Sequence, residues 1–315
     1  MDYLLKHSQS LPAALIPACS EYYGNYGRNQ IEFDPRCARY DPQLAYTLHR
    51  DSNFSFNNYE FKTTYSTNAL GLRDDSNSLN KPEVICLGDS HTMGWGVNQQ
   101  ETFSEMIAAK TGLKVLNAGI SSYGTAREML SLQGMDLSQL KYLFVQYCAN
   151  DVAENQAFVE HSYVLPVMDN RKYDSLCQTL QWRQKYYPFR HILTIARFGL
   201  QQQITAWRNK KQADTDGSYL KQAELFCKVL GNATLNRSQV KIIVFDISGD
   251  VPMERRFLQS LNSSPGWIAL RGNMNVEMID IAPFMKKEFF FKLDKHMNAR
   301  GHQQVAEILC KFINP

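Results

Sequence analysis

From about residue 82 the chain alternates short apolar runs with stretches whose apolar residues recur every three or four positions. That alternation is the signature of strand–helix–strand units on a parallel sheet. Val84-Ile85-Cys86-Leu87 reads as the first strand, ended by Gly88. The later strands are Lys114-Val115-Leu116-Asn117, Tyr142 to Tyr147, Val240 to Phe245 and Val276 to Asp280. The Tyr142 run is apolar on both faces, as a central parallel strand is. A helix is predicted around Phe103 to Ile107, stopping at Gly112. Thr125-Ala126-Arg127-Glu128 has the form of a capping box, with Thr125 as N-cap and Glu128 reaching back. Val305, Ile308, Leu309, Phe312 and Ile313 form the apolar stripe of a last helix. Five strands with interleaved helices predict an α/β fold with a doubly wound, flavodoxin-like, mainly parallel sheet.

Two segments depart from this rhythm. Residues 1–80, rich in Tyr, Asn, Asp and Arg, read as an irregular, partly extended arm packed on a main domain spanning 81–315. Roughly ninety residues separate the third and fourth strands, far more than a crossover needs. A helical insertion at about 156–235 is therefore expected. Its aromatics, Trp182, Tyr186, Tyr187, Phe189, Phe198 and Trp207 among them, suit a helical cap packed on the sheet. The other reading is a lid over a substrate cleft or a helix touching a membrane.

Composition narrows the function classes. At 315 residues with 44% hydrophobic and 21% charged residues, the chain is an ordinary globular protein. A net charge of +3 and the absence of any basic run give no footprint for nucleic acid. The seven cysteines are scattered and odd in number, which indicates neither a zinc cage nor a disulfide framework. No metal or organic cofactor is expected. No signal-peptide pattern and no apolar run of spanning length is visible, so a cytoplasmic location without membrane contact is expected.

The candidate chemistry lies where such sheets bind ligands, beyond the carboxyl ends of the strands. Gly88-Asp89-Ser90-His91 follows the first strand, Asn117-Ala118-Gly119 the second and Asn150-Asp151 the third. Asp294-Lys295-His296 precedes the last helix. A serine hydroxyl needs a neighbouring base to become a nucleophile. His296 can be that base, and Asp294 can fix its tautomer and steady the imidazolium. The N–H groups of Ser90 and Gly119, with the Asn150 amide, can supply oxyanion donors. His302, Asp89 and Asp151 read as structural, through loop and cap hydrogen bonds.

These blocks resemble those of the SGNH/GDSL hydrolases. Gly88-Asp89-Ser90 is similar to the family's first block, Asn117-Ala118-Gly119 to the second, Cys148-Ala149-Asn150-Asp151 to the third and Asp294-Lys295-His296 to the last. Asn68-Ala69-Leu70-Gly71-Leu72-Arg73 resembles a lead-in found in many bacterial members. The likeness covers roughly residues 65–155 and 240–312 and leaves the insertion unmatched. Cys148 stands where the family usually has glycine, and Asp294 lies two residues before His296 where three is common. The resemblance implies a three-layer α/β/α fold, with Ser90 as nucleophile, His296 as base, and Gly119 and Asn150 as oxyanion donors. The expected reaction is hydrolysis of a small acyl group, acetyl or short-chain, from an oxygen ester of a carbohydrate or lipid. The alternatives are an O-acyltransferase acting on a sugar hydroxyl with the same triad, or a non-catalytic carbohydrate-binding module on this fold.

Overall fold

The computed structural model describes residues 5–184, 216–233, 235, 239–247 and 255–313. Its centre is a five-stranded, all-parallel sheet of β5 (Val84–Leu87), β6 (Val115–Asn117), β7 (Tyr142–Tyr147), β8 (Lys241–Asp246) and β9 (Val276–Ile279), in the order β6-β5-β7-β8-β9. The predicted strands are all present, and the order is that of a doubly wound sheet with its switch point between β5 and β7.

Successive strand residues face opposite sides of a sheet, so each strand feeds two cores. Ile85, Leu87, Leu143, Val145, Ile242 and Val244 enter one cluster, with Met129, Phe226, Leu230, Leu261 and Trp267 from four helices. Val84, Cys86, Phe144, Ile243 and Phe245 enter the other, with Phe103 and Ile107 of the Phe103–Thr111 helix and Val305 and Leu309 of Ala299–Leu309. Burying each such side chain stabilises the fold by about 1.5–3 kcal/mol. Gly112, at φ 70°, ends the Phe103–Thr111 helix as read from sequence.

The first 80 residues are more regular than their composition suggested. Strands β1 (Ala38–Asp41) and β2 (Ala45–Leu48) form one antiparallel hairpin, and β3 (Asn53–Asn57) and β4 (Lys62–Ser66) another. Ile31, Leu48, Phe56 and Tyr65 from this segment bury Met93 and Trp95, just beyond Ser90. The Ile16–Tyr22 helix and the turn after it place Cys19, Tyr22 and Tyr23 against Leu293, the neighbour of Asp294. The arm therefore packs on both halves of the candidate site.

Between β7 and β8 the described helices are Asp151–Glu160, Asn170–Gln184 and Asp216–Asn232. The last of these buries Ala223, Phe226 and Leu230 in the sheet core, so the late part of the expected insertion is an ordinary crossover helix. Trp182 is 60% exposed, and the other aromatics named above lie outside the described residues. Among the described residues no helix is long and apolar enough to cross a membrane. All seven cysteines are unpaired.

Candidate active site

The turn after β5 is built to hold Ser90 at the start of a helix. Gly88 has φ 158°, and a Cβ there would collide with Thr92 Oγ1 and Gln146 Oε1. Only glycine fits both the torsion and the space. Asp89 is the N-cap of the Ser90–Met93 helix and accepts the His91 N–H at 2.9 Å, which is the structural role read from sequence. Gln146 Oε1, from the central strand, accepts the Asp89 N–H at 3.2 Å and the Thr92 hydroxyl at 3.0 Å. The far end of the turn is clasped by Arg73. This fully buried guanidinium donates to Met93 O at 3.2 Å, Val97 O at 2.6 Å and Gly94 O, over the face of Tyr65. The lead-in sequence thus has a physical purpose: it satisfies carbonyls that the short helix leaves without partners.

The last loop brings in His296. Ser90 Oγ lies 2.7 Å from His296 Nε2, although the two are 206 residues apart. His296 Nδ1 is bonded to Asp294 Oδ1, and the other oxygen, Oδ2, accepts the Tyr23 hydroxyl. The short Asp-x-His spacing is accommodated because Lys295 takes φ 63°. A left-handed residue other than glycine costs about 1–2 kcal/mol, so the surroundings must hold the turn. They do: the Glu60 carboxylate accepts the N–H groups of Lys292, Leu293 and Asp294 at 3.0, 2.8 and 2.9 Å. Ser20 donates to Leu293 O at 2.7 Å.

Ser90, Asp294 and His296 are 8%, 5% and 8% exposed, enough to meet a small group while excluding bulk water. Burial alone would raise the Asp294 carboxyl. The His296 ring, Arg28 and the Tyr23 hydroxyl overcome that and hold it below the usual carboxylate range. Tyr23 is driven far up by burial and by Asp294, so it remains a donor. Trp95 stacks on the His296 ring at 5.0 Å and 23°. His91 lies 4.8 Å away on another side. Burial keeps it well below the ordinary histidine value, so it stays neutral.

The oxyanion candidates are less simply disposed. A Cβ at Gly119 would overlap Met93 N and come within 2.7 Å of Thr92 C, so the strand end touches the backbone of the serine helix. The Gly119 N–H itself donates to Asn117 Oδ1 at 3.1 Å. Asn150 is exposed at the N-cap of the Asp151–Glu160 helix, where its side chain makes no cap bond. Cys148, where glycine is usual, does not lie at positive φ, so its backbone suits a residue with a side chain.

The Thr125 capping box is not formed. Gly124 is the N-cap, and side chains of the next helix do the capping. Glu154 Oε1 accepts the N–H of Gly124 at 3.0 Å and of Arg127 at 3.2 Å, and Asn155 Oδ1 that of Ala126 at 2.9 Å. Thr125 instead donates to Asp151 at 2.6 Å, and both Glu128 oxygens are buried without a partner. Burial raises both the Glu128 and the Asp151 carboxyls; repulsion from Asp151 adds to it at Glu128, and repulsion from Asp89 and Glu154 at Asp151. His302 Nδ1 accepts the Phe103 N–H at 3.2 Å, and burial holds it down to about 3. Sequence reasoning missed Tyr23, Glu60 and Gln146 altogether. Among the described residues no three His, Cys, Asp or Glu side chains converge as metal ligands.

No family model matches the chain, and no curated protein matches it at a significant level. Solved structures do. A lipolytic protein of the G-D-S-L family from Desulfitobacterium hafniense is 10% identical, with 73% of this chain and 98% of that one covered and a TM-score of 0.37. A member of the same family from Veillonella parvula is 13% identical, covering 72% and 96%, at TM-score 0.39. The Clostridium thermocellum family 3 carbohydrate esterase is 10% identical, covering 73% and 94%, at 0.36. The chain is similar to these proteins. The three-layer fold stands on its own sheet order and its two-sided core.

Proposed function

We propose that this protein is an SGNH/GDSL-type serine ester hydrolase that removes a small acyl group, acetyl or short-chain, from an oxygen ester of a carbohydrate or lipid. The observation that carries the reading is the continuous chain Ser90 Oγ, His296 Nε2, His296 Nδ1, Asp294 Oδ1, buried beyond the carboxyl end of β5. In the first step Ser90 Oγ bonds to the ester carbonyl carbon and its proton passes to His296 Nε2. The imidazolium then protonates the leaving alcohol, and an acyl-enzyme remains on Ser90. In the second step His296 takes a proton from water, hydroxide adds to the acyl carbon, and the carboxylic acid leaves as Ser90 recovers its proton.

The developing oxyanion calls for donors in place before reaction. The Ser90 N–H, in the first turn of its helix, has no intrahelical partner and is the readiest of the three. Gly119 N–H serves only by sharing or releasing its bond to Asn117 Oδ1. Asn150, exposed at a helix start, completes the set as substrate arrives.

The test is turnover of p-nitrophenyl esters from acetate to palmitate, with a fluorophosphonate probe in parallel. Native protein should take the label and prefer short chains, and Ser90→Ala should do neither. Equal labelling of both would remove Ser90 as nucleophile. Labelling of Ser90 without turnover would redirect the reading to the acyltransferase alternative.

A further inference from the structure

Beside the triad lies a cleft of about 430 Å³, a size that holds a small ligand. Its lining is unusual in charge. Among the described residues, Lys6, Arg28 and Arg183 contribute three cations to it and no carboxylate lines it. Most small-molecule pockets are chiefly apolar, whereas this one offers amides and guanidiniums around the rings of Tyr26 and Tyr59.

The cleft is contiguous with the site already described. The Arg28 guanidinium, in its wall, sits 5.8 Å over the Trp95 ring, and the His296 imidazole stacks on the same ring at 5.0 Å. Tyr59, also in the wall, packs edge-on to Tyr23, whose hydroxyl bonds Asp294. The wall of the cleft is therefore separated from the proposed base by one side chain, Trp95.

The cleft is also preformed. Asn58 Oδ1 accepts the Asn29 N–H at 2.7 Å, and the Asn29 amide donates to Asn57 O at 2.7 Å, which ties its two strands of chain together. The side-chain amides of Gln30 and Asn57 make no hydrogen bond to the described residues. Arg28 Nε is buried without a partner. A buried guanidinium N–H left unpaired is costly unless an acceptor arrives.

Resting on the ester-hydrolase reading, we propose that this cleft is a subsite for a carboxylate-bearing sugar, so that the ester cleaved at Ser90 sits on an acidic glycan. Carboxylates match the planar fork of arginine two bonds at a time. The amides suit sugar hydroxyls, and tyrosine rings offer an apolar face with a polar edge.

The experiment is calorimetric titration of trigalacturonate, with its fully methyl-esterified form as the uncharged control. Native protein and the catalytically silent Ser90→Ala are both titrated. The acid should bind at least about tenfold more tightly than the ester, and its affinity should fall as salt screens the charges. Arg183→Gln should weaken acid binding about tenfold, the loss of one charge-assisted contact, and leave p-nitrophenyl acetate turnover unchanged. It should also raise KM on acetylated polygalacturonate without lowering kcat. Equal binding of acid and ester, or no binding of the acid, overturns the proposal. Esterase activity is read separately from p-nitrophenyl acetate with and without Ser90, so loss of the subsite and loss of the hydrolase reading are distinguishable.

Discussion

Tyr23→Phe removes the hydrogen bond by which the N-terminal segment reaches the carboxylate of the proposed acid. The phenol donates to Asp294 Oδ2, on the side of the carboxylate away from His296, and Asp294 is 5% exposed. Phenylalanine keeps the ring and its edge contact with Tyr59 but removes the donor. A hydrogen bond to a charged group contributes about 1.5–3 kcal/mol net. If the whole loss falls on the transition state, where the imidazolium leans hardest on Asp294, kcat/KM should drop about 10- to 150-fold at neutral pH. The Asp294 carboxyl, held low in part by this bond, should rise. The sign follows. A depressed carboxyl stabilises the fold above its unfolded value, about 3.9, and that contribution is lost as pH falls through the folded value. Native and variant should therefore differ most in stability at neutral pH and converge in acid. The assay is p-nitrophenyl acetate kinetics from pH 5 to 8, with urea unfolding of both proteins. A variant within twofold of native, or one whose activity falls only with its folded fraction, would refute the assignment of Tyr23 as a positioning residue.

Three further substitutions probe the frame. Gly119→Ala must push its methyl into Met93 N and Thr92, so overpacking should destabilise the fold by about 1–3 kcal/mol in urea unfolding and displace Ser90 enough to cut turnover. Arg73→Met removes the guanidinium donor from the Met93, Gly94 and Val97 carbonyls, and should lower stability by about 2–5 kcal/mol in the same assay. Glu128→Gln replaces an unpartnered buried carboxyl, whose folded value is raised by burial and by Asp151, with a neutral amide. A raised carboxyl weakens the fold progressively as pH climbs from its unfolded value of about 4.3 toward the folded one. The variant should accordingly gain about 1–3 kcal/mol over native at pH 8 and little at pH 4, by thermal or urea unfolding.

What could be read from sequence was what depends on near neighbours and strict periods. The strands Val84–Leu87 and Tyr142–Tyr147 carry continuous apolar runs, and the polar residues that follow them fall where a parallel sheet gathers its ligands. The hairpin strands hid because Asn53–Asn57 and Lys62–Ser66 are short and bury only alternate positions beneath polar neighbours. The capping box failed because a partner helix supplied better acceptors than the local Glu128, a tertiary solution no four-residue pattern encodes. Tyr23 and Glu60 were invisible for a different reason. Their partners in the Leu293–Asp294 turn lie more than two hundred residues away, and a lone tyrosine in a Tyr-rich arm has nothing to mark it.

That separation has a consequence for how the protein is made. Ser90 and its turn are synthesised early, and chain growth at a ribosome proceeds at about 5–20 residues per second. The residue proposed to activate the serine follows 206 positions later, on a loop that must then close back onto the Tyr23 and Glu60 contacts. Until then the nascent serine has no base and is an ordinary alcohol. Under the proposed mechanism, a partly made chain, or one clipped before residue 294, lacks the base it needs to attack an acyl ester, and the long loop closure acts as a check on premature chemistry.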